Sequence, residues 1–228
     1  MGNKPYKPIV VDAAERLTPA SIETLKARFM LLTQRNDVVG TLQKKDFVAG
    51  LAATGSLKSA GEDVQRRIFQ VADTKCKDKL NFEDFVRLMY ILGVGTEDEQ
   101  LRLIFNLYDL DASSFISAKH FKRLTNILML SGEPPSWKVD FGKLEDGTQD
   151  ILDVGIGEFS PLLQLLQDTA FHVYDEDGDG KLSFDEWRSY AAESAEIKTL
   201  LQMIQAEAVA SSQSMWSGLS LKSSWQSP

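Results

Sequence analysis

The chain has 228 residues, 43% hydrophobic and 25% charged, the proportions of a globular protein long enough for one large domain or two compact lobes. A net charge of −8 excludes a general nucleic-acid binder, because no basic surplus exists to neutralise phosphates. The single cysteine, Cys76, can form no internal disulfide and points to a reducing, cytoplasmic setting, while the best apolar runs, "FVRLMYILGVG" and "LTNILML", are too short to span a bilayer.

No secretory signal precedes the first helix. The N-terminus reads "MGNKPYKP", and Gly2 is a candidate lipidation site, although the usual pattern asks for Ser or Thr at position 6 and Tyr6 stands there. One acyl chain holds a membrane only marginally, and Lys4 and Lys7 add a thin basic supplement, so peripheral contact is the most this end offers.

The segment "TPASIETLKARFMLL" has helical apolar spacing and starts at Thr18, with Glu23 nearby. Phe29 and Phe47 then frame a loop from Thr33 to Asp46, fourteen residues long, with Gly40 eighth in it. Side-chain oxygen is scarce there (Thr33 and Asp37, beside Arg35), so a cation could bind only through backbone carbonyls. After the helical stretch "EDVQRRIFQVA", Phe69 and Phe85 frame a second loop, Asp73 to Asp84. Lys75 and Lys77 hold its third and fifth positions and Asp78 its sixth. An ammonium there repels a cation and can pair with Asp73 or Asp84 in its place.

A third helix, "DEQLRLIFNLY", starts at Thr96 with Glu97 and Glu99 in its first turn. Phe105 and Phe121 frame the loop that follows, Asp109 to His120. Asp109, Asp111 and Ser113 form a weak candidate metal site, with Ser117 further along, but Ser114 stands where a turning glycine belongs and His120 where a bidentate acid belongs. Imidazole suits transition metals and serves calcium poorly, so His120 reads as a residue left after the site decayed. The first positions of loops three and four lie 66 residues apart, against 40 and 36 for the earlier spacings. The excess, "SGEPPSWKVDFGKLEDGTQDILDVGIGEFS", is a long surface loop. It reads equally as a docking arm anchored by Trp137 and Phe141 or as a tolerated insertion.

Phe171 and Trp187 frame the fourth loop, and "DEDGDGKLSFDEW" matches the calcium pattern D-x-[DN]-x-[DN]-G-x5-E without departure. A hard cation takes six to eight oxygens, and this spacing delivers them from one short turn of chain. Asp175, Asp177 and Asp179 hold positions one, three and five, and Gly180 permits the sharp turn. Lys181 offers its backbone carbonyl, Ser183 acts directly or through water, and Glu186 binds with both oxygens. One calcium site is therefore expected. An apolar residue stands at the same place in each loop (Leu42, Leu80, Ile116 and Leu182), where loops that pair would form a short strand. The chain ends in a serine-rich tail carrying Met215, Trp216, Leu219, Leu221 and Trp225, which is either a disordered end or a segment that folds back.

These features resemble the calcineurin B superfamily of four-EF-hand calcium sensors, and most of all the calcineurin B-like sensors of plants and protists. The lengthened first loop "TQRNDVVGTLQKKD", the third hand "DEQLRLIFNLYDLDASSFISAKHFKRL" and the fourth hand with its exit, "DGDGKLSFDEWRSYAAESAEIKTLL", carry the likeness, which runs from Leu17 to Ile204. The resemblance implies an all-α fold of four helix-loop-helix units with short paired β segments. Its lobes are expected at 17–95 and 96–204, with an insertion at about 131–158, an N-terminal arm at 1–16 and a tail at 205–228. It implies a regulatory protein holding an amphipathic partner helix, from a kinase, phosphatase or transporter, in an apolar groove. Phe29, Phe47, Phe69, Phe85, Met89, Phe105 and Leu128 are candidates to line it. A constitutive structural subunit, braced by its one ion, is the alternative. With His120 and His172 as its only histidines and no nucleophile-base set, phosphate loop or zinc spacing, the chain is not expected to be an enzyme.

Overall fold

The computed structural model describes residues 12–33, 40–53, 61–75, 77–123, 161–195, 197–202 and 222. Gly2, Arg35, Asp37, Cys76, Leu128, Trp137, Phe141, the insertion and, apart from Lys222, the tail lie outside them.

Several helices begin where the sequence satisfies the free amides of a first turn. α1 (Ala13–Arg16) is capped by Asp12, whose side chain accepts from the Glu15 N–H at 3.0 Å. α2 (Pro19–Thr33) starts on a proline whose missing N–H costs nothing at that position, behind Thr18, whose hydroxyl accepts from the Ser21 N–H at 3.3 Å. β1 (Leu42–Gln43) leads into α3 (Lys44–Ala53), and α4 (Gly61–Ala72) is followed by β2 (Lys79–Leu80). α5 (Phe82–Val94) is capped by Asn81, and α6 (Glu97–Tyr108) by a full capping box between Thr96 and Glu99. β3 (Ile116–Ser117), the helical residues 118–123 (α7), α8 (Pro161–Tyr174), β4 (Lys181–Leu182) and α9 (Phe184–Glu193) complete the described order. No described helix is long and apolar enough to cross a membrane.

The loops join in two antiparallel pairs. β1 lies against β2 with Leu42 opposite Leu80, and β3 against β4 with Ile116 opposite Leu182. All four residues are fully buried, so each pair is held by backbone bonds across the loops and by apolar contact beneath them. The aromatic frame explains the pairing further. Phe29, ahead of loop one, packs on Phe85, behind loop two, at 5.3 Å between centroids, and Phe47 packs on Phe69 at 5.5 Å. The other half repeats this crosswise exchange: Phe105 meets Trp187 at 5.6 Å, and Phe121 meets Phe171 at 5.9 Å. Each hand thus completes its partner's core.

That packing bears on one expectation. Phe29, Phe47, Phe69, Phe85, Met89 and Phe105, candidates for an open groove, are all buried in the core. The aromatic ones among them are packed in the ring pairs Phe29–Phe85, Phe47–Phe69 and Phe105–Trp187 in this conformation.

Only Gly95 and Thr96 separate α5 from α6. Polar side chains lock this joint. The Arg16 guanidinium donates to the Tyr90 hydroxyl at 2.7 Å and to Glu99 at 2.6 Å, and the Tyr90 hydroxyl donates to Glu99 at 3.1 Å. Arg67 on α4 forks onto the end of α6, donating to the carbonyls of Asn106, Leu107 and Asp109 at 3.0, 3.0 and 2.7 Å. A cation on the last carbonyls of a helix satisfies orphan acceptors and opposes the dipole. At the far end of the chain, the Lys222 N–H donates to the Arg16 carbonyl at 2.8 Å.

Candidate metal centre

Loop four runs from α8 to the first turn of α9. Its sixth residue must take left-handed backbone, and Gly180 does so with φ 75°, as Gly178 does with φ 69°. The turn aims amides inward. Asp175 accepts from the Asp179 N–H at 3.1 Å with one oxygen and from the Gly180 N–H at 2.9 Å with the other, and Asp177 accepts from the Asp179 N–H at 3.1 Å. Glu186 reaches back from α9, with Oε1 accepting from the Glu176 N–H at 3.0 Å and Oε2 from the Ser183 N–H at 2.7 Å. Burial pushes the Glu186 carboxyl up, but the hydrogen bonds from Ser183, Glu176 and Asp177 prevail and hold it below the usual glutamate value.

Oxygens of Asp175, Asp177 and Glu186 lie within 4.8 Å of one another. An all-oxygen, anionic set of this spacing fits a hard divalent cation such as calcium. The remaining residues of the motif stand around it. Asp179 Oδ1 accepts from the Lys181 N–H at 2.8 Å, and the Lys181 ammonium lies 4.0 Å from Asp179 Oδ2, outside the cluster. The Ser183 hydroxyl caps α9 by accepting from the Glu186 N–H at 3.4 Å.

Loop three repeats the bonds of the first two aspartates position for position. Asp109 accepts from the Ser113 N–H at 3.0 Å and the Ser114 N–H at 2.8 Å, and Asp111 from the Ser113 N–H at 3.2 Å. Ala112 and Ser114 adopt left-handed φ of 53° and 70°, so the loop keeps its turn without the glycine. Burial raises the Asp109 carboxyl above the ordinary aspartate range, while hydrogen bonding led by Ser113 lowers Asp111. His120 stands with Asp109 and Asp111, their ligating atoms within 4.8 Å, and the Ser113 hydroxyl donates to the Phe115 carbonyl at 3.1 Å and to Asp109 at 3.3 Å.

Loop two differs from expectation in its cations. Lys75 and Lys77 are exposed and, among the described residues, pair with neither Asp73 nor Asp84. The buried Asp84 instead meets Arg87 at 3.2 Å, one helical turn on, and accepts from the Thr74 hydroxyl at 3.0 Å. Asp78 takes the glycine position with φ 54° and bonds Lys44 from loop one at 2.7 Å. Loop one turns at Gly40, φ 87°, while the Thr33 hydroxyl donates back along its own helix to Phe29 and Met30 carbonyls. The short strands and left-handed turns persist in all four loops, and the described metal-capable clusters lie in loops three and four.

Four helix-loop-helix units joined in pairs by two-residue ladders define an EF-hand protein. Comparison with known proteins agrees: the model for an EF-hand domain pair matches residues 45–92 and 77–128, and that for a single EF hand matches 166–189. The calcineurin B protein of Kluyveromyces lactis is 29% identical over 181 residues, 78% of this chain and 83% of its own. A recoverin family protein of Dictyostelium discoideum is 29% identical over 136 residues, which span 59% of this chain and 57% of that protein. Calcium-dependent protein kinase 3 of Oryza sativa is 24% identical over 174 residues, only 25% of the kinase's length. The chain thus carries EF-hand units, the calcium-binding kind of helix-loop-helix, and is similar to calcineurin B subunits.

Proposed function

We propose that this chain holds one calcium ion in loop four and answers to a helical segment of a protein partner. Asp175, Asp177, Asp179, the Lys181 carbonyl, Ser183 and Glu186 are the ligands in this reading, and 17–95 and 96–204 are its two lobes. The observation that carries it is the Glu186 carboxylate, turned into the loop beside Asp175 and Asp177 on the first turn of α9. When bound, calcium supplies the divalent charge these oxygens lack. The next residue, Trp187, is buried against Phe105 and Tyr108, so any shift of Glu186 is passed to the aromatic core. Relatives of the calcineurin and calcium-dependent kinase kinds support a protein partner of the phosphatase or kinase class.

The buried state of the groove candidates favours a second reading, in which the ion only braces the C-terminal half and the partner surface does not depend on it. Two measurements separate them. Calorimetric titration should show calcium binding that Glu186→Gln weakens at least about tenfold, by removing one charge and a bidentate contact. Unchanged affinity in that variant overturns the site. Binding of a hydrophobic dye that rises on adding calcium supports the switch, whereas a higher melting temperature without added dye binding supports bracing.

A further inference from the structure

Loop three has the same backbone as loop four but a different donor set, and the difference points to a different ion. We propose that loop three is a site for a divalent first-row transition metal of the zinc class, with Asp109, Asp111 and His120 as its protein ligands. The twelfth position of a calcium loop supplies two oxygens, and His120 supplies none. Two carboxylates and an imidazole are instead a borderline-soft nitrogen-oxygen set, the kind that favours zinc over calcium.

The imidazole is already in place. His120 is 15% exposed, and its Nδ1 is buried, has no hydrogen-bond partner among the described residues and lies 4.0 Å from Asp111 Oδ1. With the ring proton on Nε2, Nδ1 keeps a lone pair free beside Asp111. All three ligating atoms lie within 4.8 Å of one another. A tetrahedral zinc with bonds near 2.0–2.1 Å sets its ligands roughly 3.3 Å apart, so closure asks for side-chain movement of about an ångström. Outer contacts orient the aspartate: both Asp109 oxygens are held by backbone amides of Ser113 and Ser114, and its carbonyl is held by Arg67. Three protein ligands leave a fourth position for water.

The site can be tested without reference to any partner. In the full chain, with calcium in excess to occupy loop four, zinc should bind with a stoichiometry of about one per chain by calorimetry. Cobalt in its place should give ligand-field absorption. His120→Ala and the closer-shaped His120→Gln should weaken zinc at least about tenfold and leave calcium binding unchanged. His120→Glu should exchange one ion for the other, losing zinc and gaining a second calcium, an outcome that also proves the variant folded. No zinc binding, equal binding in the His120 variants, or loss of zinc in His172→Ala or Cys76→Ser instead would overturn the proposal. Failure here leaves the loop-four reading standing, since that rests on Glu186.

Discussion

Tyr90 shows how much one buried polar group does in this chain. It lies in the core, yet its hydroxyl accepts from Arg16 and donates to Glu99. Burial raises the phenol above its ordinary value of 10.0, against the lowering effect of the Arg16 bond. The sign follows. Below the ordinary value both folded and unfolded chains carry the neutral phenol, and its contribution is intact. As pH rises past that value the unfolded chain ionises first, so stability falls until the raised folded value is passed. Tyr90→Phe should therefore flatten the alkaline decline in stability, which urea unfolding midpoints at neutral and alkaline pH would register. Glu186 works by other means: its two oxygens cap α9 and bridge loop four, so Glu186→Gln should weaken both calcium binding and the helix start.

Among the elements, the joint between α5 and α6 is a tight one. Gly95 ends α5, and a Cβ on it would lie 2.7 Å from the Ile91 carbonyl oxygen and 2.8 Å from the Ile91 Cα. That carbonyl is also fixed by the Gln100 amide at 3.1 Å, so it cannot move aside cheaply. Gly95→Ala should destabilise the fold by about 1–3 kcal/mol, the usual range for overpacking, measurable by urea denaturation. The loops show a different economy. Asp78 and Ser114 hold left-handed φ without glycine because the paired strands and flanking helices over-determine the turn. Without the turning glycine, both hands keep the turn and the paired strand.

For the molecule as a whole, a few cations tie the halves together. Arg67, from the second hand, caps the helix that leads into loop three, and Arg16 joins α1 to the α5–α6 joint. Arg67→Ala should cost about 2 kcal/mol, the range for a hydrogen-bonded charge, and should loosen α6 next to Asp109. Hydrogen exchange at the amides of α6 would locate the loss, and denaturant unfolding would size it. The bond from the Lys222 N–H to the Arg16 carbonyl brings Lys222 to that same joint.

The EF-hand plan was written in the chain at short range. A calcium loop, a capping box and an aromatic frame each depend on residues within about a dozen positions, and their spacing marked Leu42, Leu80, Ile116 and Leu182 as strand positions, which the fold pairs as Leu42 with Leu80 and Ile116 with Leu182. Arg87, one helical turn past Asp84, was legible by the same helical spacing, although the lysines are the more conspicuous cations. Contacts between distant positions were not legible: Arg16 meets Glu99 across 83 residues, and Arg67 meets Asp109 across 42. Nor could spacing say that His120 turns its nitrogen inward, or that the groove candidates close on one another, because both depend on which faces the helices press together. Local patterns choose turns, caps and ligand positions; burial and side-chain direction are settled only when remote helices pack.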